Sequence, residues 1–271
     1  MSWNAFRQGL KDSSEARIAV LLLVKSEKLR RKSWQTFLLN GVIFIGSILL
    51  YKEAIEPLMM SLYAASGVDE LTSTQMSGYL YTTYILTWIL PMYMLSFVLN
   101  TVWYQDIASE TARLLARTSV RPQPSVPVTL RIADVLYKSI FNGIFILQSN
   151  LAYNVSYVGY SLYILHLAFL YALSAFEYRL SSADGWTGER RLALVQKRWA
   201  YFAGFGAVPA LLAAVFPRFI EAGVLALLIP LGIVAAAAAD PAEGAGGSLP
   251  IFAPSVWVTG VVVKILDLAR T

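Results

Sequence analysis

The chain has 271 residues, of which 57% are apolar and 14% charged, with a mean hydropathy of +0.56, whereas an average soluble domain carries about 25% charge. That balance describes an integral membrane protein, and without any ten-residue alternation typical of a barrel its membrane part is expected to be helical. A net charge of +5, no Cys and a single His, His166, exclude disulfide frameworks, thiol nucleophiles and the usual Cys/His zinc sites, so no metal or cofactor is expected.

Met1 to Leu10 lacks an apolar core with a small-residue cleavage site, and no cleavable signal is expected. Trp3, Phe6 and Leu10 instead share one side of a helix, with Asn4, Arg7, Gln8 and Lys11 opposite. This predicts an amphipathic helix on a membrane surface within residues 1–33. Residues 34–105 are expected to hold two spans. Trp34 to Tyr51 is a run of 18 uncharged residues between aromatic belts, long enough to cross. The segment Glu53 to Glu70 has four acids and no base, which sets it on the opposite side. Leu71 to Gln105 is uncharged for 35 residues with Pro91 near its centre, predicting a tilted or kinked second span extended at one end.

Asp106 to Lys138 is a charged connector with the breaker run Arg121 to Pro127. Residues 139–176 then hold 38 residues without Asp, Glu, Lys or Arg, read as a helical hairpin turning between Tyr153 and Tyr160. Arms of 14 and 16 residues reach roughly 21 to 24 Å against a hydrocarbon core of about 30 Å, too short to cross twice. The Asn154-Val155-Ser156 sequon at the turn is expected to stay unmodified if lipid covers it.

After the connector Glu177 to Arg198, residues 199–239 form a second apolar pair bent by Pro209 and Pro230. Gly206, Ala210 and Ala214 make a small-residue stripe that permits close helix approach and hints at a homo-oligomer. Residues 255–270 form a terminal helix. Of the 22 bases, 8 lie in residues 1–33, 5 in 106–138 and 5 in 177–198, so the N-terminus and both connectors are expected to face the cytosol. The bases serve orientation and lipid contact there, and nucleic acid is not an expected partner. No soluble second domain is visible. The expected fold is an all-α, polytopic membrane protein in one domain, with two long transmembrane helices, two membrane-inserted helical hairpins and amphipathic terminal helices.

Few residues suggest chemistry. His166 in an uncharged run is either a proton relay or substrate contact, or a neutral imidazole hydrogen-bonded between helices. Arg218 and Glu221 are three apart and can pair on a helical turn. If the second hairpin crosses the bilayer they cap its far end. If it penetrates halfway they sit near the midplane, and Arg218 becomes a contact for a small inorganic anion. Gly-rich phosphate loops, the G-x-S-x-G elbow and H-E-x-x-H are not found, and no enzyme is expected.

Several strings resemble one family. They are Gly9-Leu10-Lys11-Asp12, Leu90-Pro91, Asn100 to Ala108 with its Trp103-Tyr104-Gln105-Asp106-Ile107 core, Ile132-Ala133-Asp134, Phe176-Glu177-Tyr178-Arg179, and Tyr201 to Gly206 with Gly204 and Gly206. Over nearly the whole chain these resemble the etoposide-induced ER membrane protein family of eukaryotes, more distantly related to the bacterial CysZ sulfate permeases. The resemblance implies two long spans and two hairpins that, in the CysZ branch, enter the membrane without fully crossing it. For the eukaryotic branch it implies residence in the endoplasmic reticulum membrane and a part in autophagy and ER quality control, with proteins of those processes as partners. For the CysZ branch it implies passive sulfate passage. Gln105, Asp106, Glu177, Tyr178 and Arg179 are then helix-end motif residues, and Arg218 and Glu221 stand where the CysZ pattern has an apolar turn.

Overall fold

The computed structural model describes residues 2–115, 128–180, 188–241 and 247–268, with side chains at 2, 16, 17, 128–136, 218, 219 and 266–268 left aside. The breaker run Arg121 to Pro127 lies outside the described residues. All regular structure among the described residues is helical. In chain order the helices are α1 (Ser2–Ser14), α2 (Ala16–Lys25), α3 (Glu27–Ala65), α4 (Glu70–Leu114), α5 (Val128–Tyr153), α6 (Gly159–Tyr178), α7 (Gly188–Lys197), α8 (Trp199–Ala214), α9 (Arg218–Ala238) and α10 (Ala253–Leu268). Of these α3, α4, α6 and α9 are long and apolar enough to cross a membrane, and the protein is an all-α, multi-pass membrane protein.

The two long helices exceed what a bilayer needs. At 39 and 45 residues, α3 and α4 reach ~58 and ~68 Å, about twice the hydrocarbon thickness. Ser26 caps α3 by accepting the Leu29 N–H at 3.2 Å, and Asp69 caps α4 by accepting the Thr72 N–H at 2.9 Å. Helix continues past the charged ends of the apolar runs because Glu, Lys and Arg are themselves good helix formers. The prolines are absorbed without a break. Wider π-type turns at Tyr51–Ile55 and Ile85–Ile89 run up to Pro57 and Pro91, where each ring removes a backbone donor and crowds the preceding turn.

These helices form an antiparallel pair, joined by Ser26 to Glu110, Lys32 to Asp106, Asn40 to Asn100, Tyr84 to the Ser47 carbonyl and Ser77 to Glu56. The distal part, Glu56–Ala65 with Glu70–Tyr84, packs mainly on itself.

The first hairpin is α5 and α6, turning through residues 154–158. Gly159 must be glycine, because a Cβ there would stand 2.0 Å from the Tyr153 carbonyl oxygen. Both arms run past the uncharged stretch, since Lys138 on α5 pairs with Glu177 on α6 at 2.9 Å. The arms, 26 residues in α5 and 20 in α6, are therefore longer than the uncharged run suggests, and α6 is both long and apolar enough to cross.

The second hairpin is α8 and α9. Its α8 arm lies against α6 in the main core, where Phe176 packs on Phe202 and Phe205, and Phe252 wedges between Phe141, Phe145 and Phe169. Glycines set the spacing: a Cβ at Gly206 would lie 1.9 Å from the Ala168 oxygen, and one at Gly204 2.1 Å from the Phe6 oxygen. Gly206 and Ala210 are thus occupied inside the bundle, and that part of the small-residue stripe is closed to a second copy.

Helix α1 lies across α8, with Trp3 outside the contact. Ala5 is buried while Trp3 is 64% exposed, and a Cβ at Gly9 would be 2.0 Å from the Tyr201 oxygen. The contact is centred on Ala5 and Gly9 because a residue without a side chain permits the closest backbone approach, which hydropathy does not register. Helix α10 likewise buries Ser255 and Thr259 and exposes Trp257 and Ile265.

Candidate functional site

The polar groups of the bundle converge on α9. Pro230 inside this helix has no N–H and so frees the Ala226 carbonyl. The hydroxyl of Tyr104, on α4, donates to that oxygen at 2.7 Å. Tyr171, on α6, donates to the Leu228 oxygen at 2.9 Å, and the Gly232 N–H is bonded to the same hydroxyl. A side chain thus enters the helix ladder at the kink, which is how a broken helix is satisfied in an apolar surrounding. Gly232 has no room for a Cβ, which would meet the Tyr171 oxygen at 2.5 Å.

The C-terminal end of α9 is held by cations. Arg179 Nη1 donates to the carbonyls of Ala236 at 2.8 Å and Ala239 at 2.5 Å, neutralising exposed acceptors and the negative helix end. Arg198 donates to the Pro241 carbonyl, and Gln8 to that of Asp240 at 3.1 Å. Glu177 meets Lys138 at 2.9 Å and Arg191 at 3.5 Å, fastening α6 to both neighbouring connectors. Beside them Tyr178 packs edge-on against Tyr104 with ring centroids 6.2 Å apart.

At the other end, Glu221 is buried and accepts a hydrogen bond from Tyr163 of the first hairpin. Arg218 opens α9, and its side chain lies outside the described residues. A Cβ on Gly223 would stand 2.6 Å from Ile45 Cγ1, so Glu221 falls near the level of Ser47. Lys52 is about five residues, or ~8 Å, further out along α3. The hairpin tip therefore lies beside the outer half of the Trp34 to Tyr51 run, short of its charged end at Lys52.

His166 is separate from Glu221 and fully engaged. Its Nδ1 faces the Leu162 carbonyl at 2.7 Å and its Nε2 the Gln148 Nε2 at 3.0 Å. Gln148 also donates to the Ile251 carbonyl at 2.9 Å and accepts from Ser255 at 2.6 Å. With Leu162 accepting at one nitrogen and Gln148 donating to the other, the ring is a neutral imidazole that ties α6 to α5 and α10. Among the described residues no group of three or more His, Asp or Glu could hold a metal ion.

Asn40 carries no sequence motif, and Asn100 is marked in the sequence only as the first residue of a family string. Their amides exchange two buried hydrogen bonds, at 3.1 and 3.0 Å, and Asn40 adds one to the Thr36 carbonyl at 3.0 Å. An amide facing an amide across two apolar runs is the signal that could have found them.

The family model described as sulfate transporter CysZ/etoposide-induced protein 2.4 matches residues 17–230. The chain belongs to this family. Relatives of this CysZ/etoposide-induced family member include a Protein EI24 homolog of Arabidopsis thaliana, 29% identical over 90% of this chain and 89% of the relative. A Protein EI24 homolog of Dictyostelium discoideum is 25% identical over 95% and 82%. Ectopic P granules protein 4 of Caenorhabditis elegans is 26% identical over 78% of this chain and 62% of its own length. No solved structure matches.

In this family member the motif residues divide by role. Asp106 pairs with Lys32 at 2.8 Å, while Gln105 is exposed beside it. Glu177, Tyr178 and Arg179 lock the base of the first hairpin to α5, α4 and α9 respectively, and Gly204 and Gly206 set the α1 and α6 crossings. None of these motif residues is brought against His166 or Glu221 by a hydrogen bond or ion pair given above.

Proposed function

We propose that this chain is a multi-spanning membrane protein of the endoplasmic reticulum that acts in autophagy and ER quality control as a structural and interaction protein, without catalytic activity. The reading is supported by the family and by the resemblance to its eukaryotic branch. One observation supports the structural part: several of the amide, ionisable and phenolic side chains inside the bundle are spent on one another or on backbone carbonyls. Asn40 meets Asn100, His166 meets Gln148, Glu221 meets Tyr163, and Tyr104 and Tyr171 meet α9. Ion-coupled transport needs titratable or coordinating groups at depth that exchange partners, whereas a scaffold needs them closed.

The second reading is a passive sulfate or anion permease, favoured by the sulfate transporter in the family description and by Arg218 at the start of α9. Purified protein in liposomes separates the two. The scaffold reading expects no sulfate or chloride flux above empty vesicles, together with a defect in autophagic turnover in cells lacking the protein. Flux that disappears in Arg218→Gln would establish the permease instead.

A further inference from the structure

At the base-rich end of the bundle, α7 passes into α8 beside a cavity of about 310 Å³ lined by Arg190, Ala193, Leu194, Lys197 and Arg198. Residues 190, 193, 194 and 197 follow helical spacing and so share one side of α7. The other side is committed to the fold, where Val195 is fully buried and Arg191 lies 3.5 Å from Glu177. Arg190 and Lys197 line the cavity.

The walls are set before any ligand arrives. Arg198 is anchored through its donation to the Pro241 carbonyl, and the Leu249 N–H donates to the Gln196 oxygen at 3.0 Å, fixing α7 along the neighbouring chain. The lining contains three bases and no acid. Immediately beyond it Trp199 begins the uncharged run of α8, so the cavity stands where water gives way to hydrocarbon. Two cations on one face of α7 and a third at its junction with α8, next to an apolar run, match an anionic group that is tethered to a hydrocarbon tail. Guanidinium forks pair with phosphate oxygens through parallel hydrogen bonds, and an ammonium adds a point charge.

We propose that this cavity binds the phosphate of an anionic phospholipid headgroup, with Arg190, Lys197 and Arg198 facing the phosphate and Ala193 and Leu194 facing the glycerol end. Free phosphate or sulfate shares the headgroup chemistry but has nothing to place along Leu194 and Trp199. The site would hold the entry of the second hairpin against a leaflet rich in anionic lipid.

The test uses the full-length protein in neutral detergent, titrated with short-chain phosphatidylinositol phosphate, phosphatidylserine or phosphatidylcholine, and separately with inorganic phosphate and with sulfate. Thermal unfolding and native mass spectrometry read binding. The anionic lipids are expected to raise the melting temperature and stay bound, and phosphatidylcholine is not. Arg190→Gln with Lys197→Gln, both exposed, should weaken anionic-lipid binding about 25-fold, on the basis of about fivefold per juxtamembrane base. Lys264→Gln, an exposed base on α10, should leave binding unchanged. The charge-keeping pair Arg190→Lys with Lys197→Arg should retain binding, which separates loss of charge from loss of fold. Equal binding of phosphatidylcholine, or no effect of the charge-removing pair, overturns the site. A response to inorganic phosphate or sulfate as strong as to the lipids overturns its assignment to a headgroup.

Discussion

Replacing Asn40 or Asn100 by Leu tests whether the two long helices are held by their amides or merely by apolar packing. The pair makes two hydrogen bonds at 3.1 and 3.0 Å, and Asn40 and Asn100 are only 2% and 7% exposed. Interhelical hydrogen bonds in membranes contribute about 0.6 kcal/mol on average and at most about 1.7. An amide stranded without a partner adds a desolvation cost of about 1–3 kcal/mol. Each single substitution is therefore expected to destabilise by about 2 kcal/mol, because it removes both bonds and strands the opposite amide, Asn100 completely and Asn40 but for its bond to the Thr36 carbonyl. The double substitution orphans neither and loses only the two bonds, about 1 kcal/mol, giving a coupling of magnitude near 3 kcal/mol in a double-mutant cycle. Reversible unfolding in mixed micelles, followed by tryptophan fluorescence or circular dichroism, measures all four corners. If the two single losses add within about 0.5 kcal/mol, the amides are not acting as a pair and the reasoning fails.

Other substitutions probe the remaining joints. Gly206→Ala places a Cβ 1.9 Å from the Ala168 oxygen and should cost about 3 kcal/mol or more, whereas Gly78→Ala, with nothing within 4 Å, should stabilise α4 by about 0.5–1 kcal/mol. Both are read by melting in detergent. Arg179→Gln removes the charged donor from the Ala236 and Ala239 carbonyls and should lose about 2 kcal/mol, with faster hydrogen exchange confined first to the end of α9. Burial raises the Asp12 carboxyl above its ordinary value, only partly offset by the hydrogen bond from Tyr201 at 2.7 Å. A raised folded value means that its contribution is greatest below the unfolded value and is lost as pH rises through the folded one. The melting temperature of Asp12→Asn relative to the parent should consequently increase between pH 4 and pH 7, and a difference independent of pH would refute the burial effect.

The uncharged runs and their flanking charges read directly into helices, because apolar length and charge punctuation are what a bilayer selects. The turn around Asn154 and the breaks before Arg218 and after Ala239 follow from the same punctuation. What the pattern missed depends on geometry between helices. Asn40 and Asn100 are 60 positions apart, and which of several intramembrane amides pair is set by helix rotation. The side of α1 that packs on α8 is not marked by hydropathy, because Gly9 and Gly204 contribute approach rather than hydrophobicity. Pro91 signals a disturbance, yet whether it becomes a kink or a π-type turn depends on how neighbouring turns share carbonyls. Among the candidate residues, His166 and Glu221 stood out for charge or protonation in apolar runs, while Gln148 and Tyr163, which determine what those two groups do, carry no such mark.

Helix α9 is the part of the bundle on which most of these contacts converge. Tyr104 and Tyr171 occupy its kink, Arg179 holds its last turn, Arg198 and Gln8 hold the chain just after it, and Gly223 seats its outer end against α3. These groups come from α4, α6, the segment after α6, the α7–α8 junction, α1 and α3. A motion that straightened or withdrew α9 would have to break contacts to several helices together, leaving the Ala226 carbonyl without its tyrosine in an apolar setting. Each such orphaned group costs about 1–3 kcal/mol, so the motion is steeply opposed. A helix clamped from so many sides is fixed in the bundle, and its displacement is expected to cost several such groups at once.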